Sequence, residues 1–129
     1  MITNSPATTI LPVADSDRAV AFYRDRLGLT HQGRSGDGKD LFRLGSDGVL
    51  ALIEKPPGAQ AEHTVLSFQV DDIGSAIRDL ESRGVAFDDY DLPGLTTVDH
   101  VCVLGSEKAA WFRDTEGNIL CLHEVIAES

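Results

Sequence analysis

The side chains able to do acid–base, nucleophilic or metal chemistry are four histidines, His31, His63, His100 and His123, and two cysteines, Cys102 and Cys121. A histidine is the side chain suited to proton transfer near neutral pH. Cys121 and His123 stand two positions apart, so on one extended strand their backbones are about 7 Å apart, too far for a dependable thiolate–imidazole pair. A nucleophilic cysteine needs a depressed pKa from a neighbouring base or cation, and the alternative role for Cys121 is a small buried hydrophobe. No serine or cysteine hydrolase signature, phosphate loop or dinucleotide fingerprint accompanies these residues. His63, His100, His123 and Cys121 are taken as the candidates for catalysis, with no role assigned.

The net charge of −10 and a pI near 4.6 argue against a polyanionic partner, so neither nucleic acid nor an acidic membrane surface is expected. Two cysteines are too few for a disulfide framework, and the opening MITNSPATTI has no basic segment followed by an apolar run. The expectation is a cytoplasmic protein without a membrane span.

The elements that must position these residues come in a repeated order. Thr8 to Val13 reads as a strand, with Pro12 marking an edge or an irregularity. Asp15 fits a helix cap, and Ala19, Val20, Tyr23 and Leu27 follow at helical spacing up to Gly28. Leu29 to Gly33, Lys39 to Leu44 and Val49 to Glu54 read as three strands joined at Ser35–Gly38 and Ser46–Gly48. Lys55 to Ala61, with two prolines and a glycine, is a linker. Then the order returns: a strand from His63 to Val70, a helix capped by Asp72 with Ile73, Ala76, Ile77 and Leu80 on one stripe, and a stop at Gly84. Val85 to Phe87 starts another strand. After an acidic excursion over about 88–107, residues 108–113 and 118–123 pair across a turn. The reading is one domain over 1–129, with module one at about 7–54, a linker at 55–62 and module two at about 63–125. Halves of about 60 residues bury too little surface to stand alone.

The stretch Trp111 to Glu124 repeats Leu41 to Glu54 at a spacing of 70, matching Phe112 with Phe42, Arg113 with Arg43, Leu120 with Leu50, Leu122 with Leu52 and Glu124 with Glu54. With Asp15 ahead of Ala21-Phe-Tyr-Arg-Asp-Arg-Leu-Gly28, Phe68-Gln-Val-Asp-Asp72 and Phe112-Arg-Asp-Thr-Glu-Gly-Asn118, the chain from about Thr8 to Glu124 resembles the vicinal oxygen chelate superfamily. This is the glyoxalase, bleomycin-resistance and extradiol-dioxygenase group. Asp114-Thr115 stands where that family typically has Asp-Pro.

The resemblance implies an α+β fold of two tandem βαβββ modules, whose mixed sheets form a U-shaped cleft, and a homodimer. It also implies a small-molecule ligand in that cleft. Strand alternation then assigns Thr64, Leu66, Phe68 and Val70 to the helix side and His63, Val65, Ser67 and Gln69 to the cleft. Leu120 and Leu122 go to the helix side, Ile119, Cys121 and His123 to the cleft. If Arg113 pairs with Asn118, Ala110 and Phe112 face the cleft and Trp111 the helix; a slip of one residue exchanges them. The family's metal ligands, carried over by position, fall on Thr8, Ala51, Val65 and Cys121. Of these only Cys121 coordinates metals well, so no metal or other cofactor is expected, with a divalent metal at a rearranged site as the alternative. His63 and His123, both assigned to the cleft, are offset by roughly 13 Å along the strands and cannot share an ion. The expected ligand-contacting residues are Thr8, Ala51, Val65, Ser67, Gln69, Phe112, Cys121 and His123. Residues 88–107 are either a lid, carrying His100 inward, or a solvated loop. Two functions follow: a metal-independent binder of a small organic molecule, or a lyase, isomerase or dioxygenase with a rearranged metal site or a histidine acid–base.

Overall fold

The structure, a computed structural model, describes residues 2–126. Met1 and the last three positions of the predicted domain lie outside the described residues. The chain divides into two compact units, one running up to Gln60 and taking in Thr115–Asn118, the other comprising Ala61–Asp114 and the chain from Ile119 on. The break after Gln60 falls inside the linker.

In unit 1, β1 (Thr8–Val13) is followed by α1 (Ser16–Ala21), β2 (His31–Arg34), β3 (Asp40–Leu44) and β4 (Gly48–Glu54). The sheet order is β1-β4-β3-β2, with β1 parallel to β4 and the other pairs antiparallel. Ahead of β1 lies a 3₁₀ turn, Ile2–Asn4. Asp15 caps α1 by accepting the Arg18 N–H at 3.0 Å. The helix then widens into a π turn over Phe22–Arg26, where the Leu27 N–H reaches the Phe22 carbonyl at 3.1 Å. Gly28, at φ 74°, ends it in the left-handed region that glycine tolerates. Leu11, Val13, Phe42, Leu50 and Leu52 alternate onto one sheet face and are buried, and the Tyr23 ring lies 5.9 Å from that of Phe42.

The start of α1 is fixed from a distance. Glu116, buried in the turn between the last two strands, accepts the Ala14 and Asp15 N–H groups at 2.9 and 3.0 Å and the Arg18 guanidinium at 2.7 and 3.0 Å. Burial works to raise its pKa. The Arg18, Asp15, Thr115 and Ala14 hydrogen bonds outweigh burial and hold the carboxyl at about 2. Asn118, also buried, donates its amide to the Pro12 carbonyl at 2.9 Å.

Unit 2 repeats the topology with β5 (Thr64–Gln69), α2 (Ile73–Ser82), β6 (Phe87–Asp88), β10 (Glu107–Arg113) and β11 (Ile119–Val125) in the order β5-β11-β10-β6. Again the outer pair β5/β11 is parallel. The acidic excursion is not bare loop: it forms β7 (Asp91–Leu92), β8 (Leu95–Thr96) and β9 (Cys102–Leu104), the last pairing with β10. Asp72 caps α2 by accepting the Ser75 N–H, and Glu124 accepts the Ile73 N–H at 2.8 Å. That contact fixes which sheet face α2 covers, because Glu124 alternates with Leu120 and Leu122. Ile73, Ile77 and Leu80 of α2 are buried with Phe87, Phe112, Leu120 and Leu122. Among the described residues no helix is long and apolar enough to cross a membrane.

Candidate functional site

The face of the unit-2 sheet turned away from α2 is built by direct cross-strand pairing. Cys121 lies beside Ser67 and His123 beside Gln69 across the parallel pair, while Trp111 lies opposite Cys121 and Ala109 opposite His123 across the antiparallel one. Ser67, Gln69, Cys121 and His123 are thus brought together on one face. Ser67 and Gln69 are exposed, His123 is half-buried, and Cys121 is buried. The Ser67 hydroxyl and His123 Nδ1 are 2.6 Å apart, a strong hydrogen bond that orients the ring.

Four expectations need correction here. Arg113 pairs with Ile119, not Asn118. Asn118 leaves the strand because its amide is engaged by the Pro12 carbonyl, which makes the turn one residue longer. The slip exchanges the faces: Phe112, opposite Leu120, is 0% exposed and packs on Phe87 with ring centres 5.3 Å apart. It is a core residue with no surface to offer a ligand. Trp111, opposite Cys121, takes the face predicted for Phe112. A register shift between Ile119 and Leu120 places Thr64 beside Ile119 and leaves Val65 unpaired at a bulge. Thr64 consequently faces Trp111 and accepts its indole N–H at 3.2 Å, where helix contact was expected. His63 precedes β5 and is exposed, outside the alternation that was to aim it at the cleft.

His100, left open between a lid and a solvated loop, lies on the α2 side of the unit-2 sheet. Its ring stacks on Phe87, 6.0 Å between centres, and its two nitrogens meet Asp89 and, on α2, Glu81. Tyr90, from the same excursion, sets its ring at 88° to Trp111 with centres 5.5 Å apart. Tyr90, Trp111 and Thr64 were missed as site residues. The alternation in Trp111–Phe112 would have found Trp111 once the turn length was known.

Unit 1 carries Thr8 and Ala51 on its sheet face away from Phe42 and Leu50, as Thr8 pairs with Val49 and Ala51 with Ile10 and Leu41. Thr8 is exposed. Ala51, at 1% exposed, has no surface to offer a ligand.

The thiol of Cys121 donates to the Leu122 carbonyl at 3.2 Å. Burial pushes its pKa up, against the Ser67 hydroxyl and the Ala110 N–H. That is the wrong direction for a nucleophile, and Cys121 is withdrawn as a catalytic candidate. With a hydroxyl on Thr8, hydrocarbon on Ala51 and Val65, and only the Cys121 thiol as a metal-binding group where about three are needed, the family's ligand positions do not fit a metal. Among the described residues no group of three or more His, Cys, Asp or Glu is placed to hold one.

Repeated βαβββ units with parallel outer strands and a polar, aromatic face opposite the helix define a class. Residues 5–122 match the Glyoxalase/Bleomycin resistance protein/Dioxygenase superfamily, and the chain belongs to it. Similar solved structures include TnmS3, an antibiotic binding protein from Streptomyces sp. CB03234. It is 24% identical with a TM-score of 0.70, the match covering 97% of this chain and 98% of that one. A glyoxalase/bleomycin resistance protein from the same organism is 27% identical with a TM-score of 0.62, covering 92% and 98%. Lactoylglutathione lyase from Agrobacterium tumefaciens is 19% identical with a TM-score of 0.70, covering 96% of each. Comparison with curated proteins finds no match.

Proposed function

We propose that the chain binds a small organic molecule on the face of the unit-2 sheet formed by Trp111, Thr64, Ser67, Gln69 and His123, without a metal. The observation that carries this reading is the Trp111 ring, braced by its hydrogen bond to Thr64 and by the Tyr90 edge, beside a row of hydrogen-bonding side chains. An apolar platform with a few polar anchors is the usual make-up of a small-molecule site. The likeness to an antibiotic binding protein supports a small-molecule ligand. Trp111 is the single tryptophan of the chain, so its fluorescence reports directly on the site. Saturable quenching by members of a panel of planar aromatic compounds, lost in variants of the same face such as Gln69→Leu, is the expected result. A panel that leaves the emission unchanged refutes the reading. A homodimer is the assembly carried over from the family, and sedimentation tests it.

The Ser67–His123 hydrogen bond favours a second reading. A histidine used as an acid–base needs a partner that orients it, and Ser67 is one. Turnover of a quenching compound, reduced by His123→Gln but not by metal chelation, would turn the binder into a metal-free enzyme. Binding without turnover leaves the first reading in place.

A further inference from the structure

The excursion between β6 and β9 delivers one ring to each side of the unit-2 sheet. Tyr90 goes to Trp111, and His100 goes to the α2 side, between two carboxylates. Nδ1 is 2.9 Å from Asp89 Oδ1 and Nε2 is 3.3 Å from Glu81 Oε2. An ionised carboxylate only accepts hydrogen bonds, whereas a neutral imidazole has one N–H and one lone pair. Both contacts can be hydrogen bonds only while the ring is an imidazolium. Removing the proton turns one nitrogen into a lone pair facing a negative charge, and one of the two ties is lost.

The Asp89 end of this pair is wired to Tyr90. Thr97 Oγ1 donates to Asp89 at 3.1 Å and accepts the Tyr90 N–H at 2.9 Å, and the Thr97 N–H donates to the Tyr90 carbonyl at 2.9 Å. The longer contact, to Glu81, is the one that ties this cluster to α2. Asp99 and His100 have φ of 53° and 71°, a left-handed pair that residues with side chains adopt at a cost and that surrounding contacts must hold.

We propose that His100 is a proton-operated latch: protonated, it bridges Glu81 of α2 to Asp89 and keeps Tyr90 against Trp111; neutral, it releases α2 and Tyr90 leaves the ring. The charged groups around it are Glu81 and Arg78 on α2, which with Asp99 and His100 line a groove of about 470 Å³, together with Asp89, and Asp88, which accepts from Arg113 at 3.3 Å. The Asp89 hydrogen bond raises the His100 pKa above 6.5, against burial. The latch is accordingly closed below about 6.5 and opens as pH rises through the raised value. Its meaning for ligand affinity rests on the binding site proposed at Trp111, but its operation is read without ligand.

The test is Trp111 emission of the full chain, free of ligand, titrated from about pH 5 to about pH 9. A single-proton transition with its midpoint above 6.5 is expected in the wild type and in His123→Gln, absent in His100→Gln, and moved to lower pH by roughly a few tenths of a unit in Glu81→Gln. A flat wild-type titration overturns the latch, as does a transition that survives His100→Gln or vanishes in His123→Gln. Failure of every aromatic compound to quench Trp111 would refute the binding reading and leave this result standing.

Discussion

Replacing Glu116 by Gln keeps the size of the side chain and an acceptor for the Ala14 and Asp15 N–H groups, and removes the charge that Arg18 and those N–H groups hold. The carboxyl's fall from 4.5 to about 2 corresponds to an upper bound of about 3.4 kcal/mol of stability at neutral pH. Glu116 is buried, but the Arg18 side chain is 52% exposed, so water screens its share. Roughly 2 kcal/mol is the expected loss, which for a chain of this size lowers Tm by roughly 6–10 °C. The pH dependence has a definite sign. A depressed carboxyl pKa contributes stability that is complete above the unfolded value of about 4.5 and is lost as pH falls toward about 2. Urea unfolding of wild type and variant should therefore differ by the full amount at pH 7 and converge as pH falls below about 3. A difference that is the same at both pH values would show that Glu116 acts through packing, and no difference at all would refute the charge argument.

Phe112→Ala should cost about 3–5 kcal/mol in urea unfolding, because the side chain is fully buried against Phe87. Trp111→Ala should cost far less, and the reverse ranking would show the hairpin register to be wrong. Ser67→Leu or Gln69→Leu should abolish quenching by any compound that quenches wild-type Trp111, with Tm changed by no more than a few degrees; an unfolded product would mean that these residues face the core. Cys121 should react with a thiol probe at pH 7 far more slowly than in urea-unfolded chain, since burial both hides it and raises its pKa. Native and unfolded rates within about tenfold would contradict the placement.

The alternation of Leu50 with Leu52 and Leu120 with Leu122 was enough to set the faces of β4 and β11, and Asp15 and Asp72 announced both helices. These are local signals, carried by neighbours in sequence. The register of the last hairpin was not legible, because it depends on an amide at Asn118 captured by a carbonyl 106 positions earlier. The β5 bulge is likewise invisible: Val65 is as apolar as any strand residue, and only pairing with β11 makes it the extra one. That single residue moves Thr64 from the helix side to Trp111. The excursion read as acid, turn and little else, since the left-handed pair at Asp99 and His100 and the reach to Glu81 are set by tertiary contacts.

The Glu116 clasp also bears on the order in which the molecule is made. Ala14 and its carboxylate partner are separated by 102 positions, so the first turn of α1 stays unclasped until Glu116 has been synthesised. At about 5–20 residues per second that delay is roughly 5–20 s. The amino-terminal strands can pair during it, but α1 docks on an entry point not yet secured. A nascent chain halted after residue 60 should show β1 and β4 paired while amide exchange at Ala14 and Asp15 remains rapid, and slow exchange there should begin only once residue 118 has emerged from the ribosome.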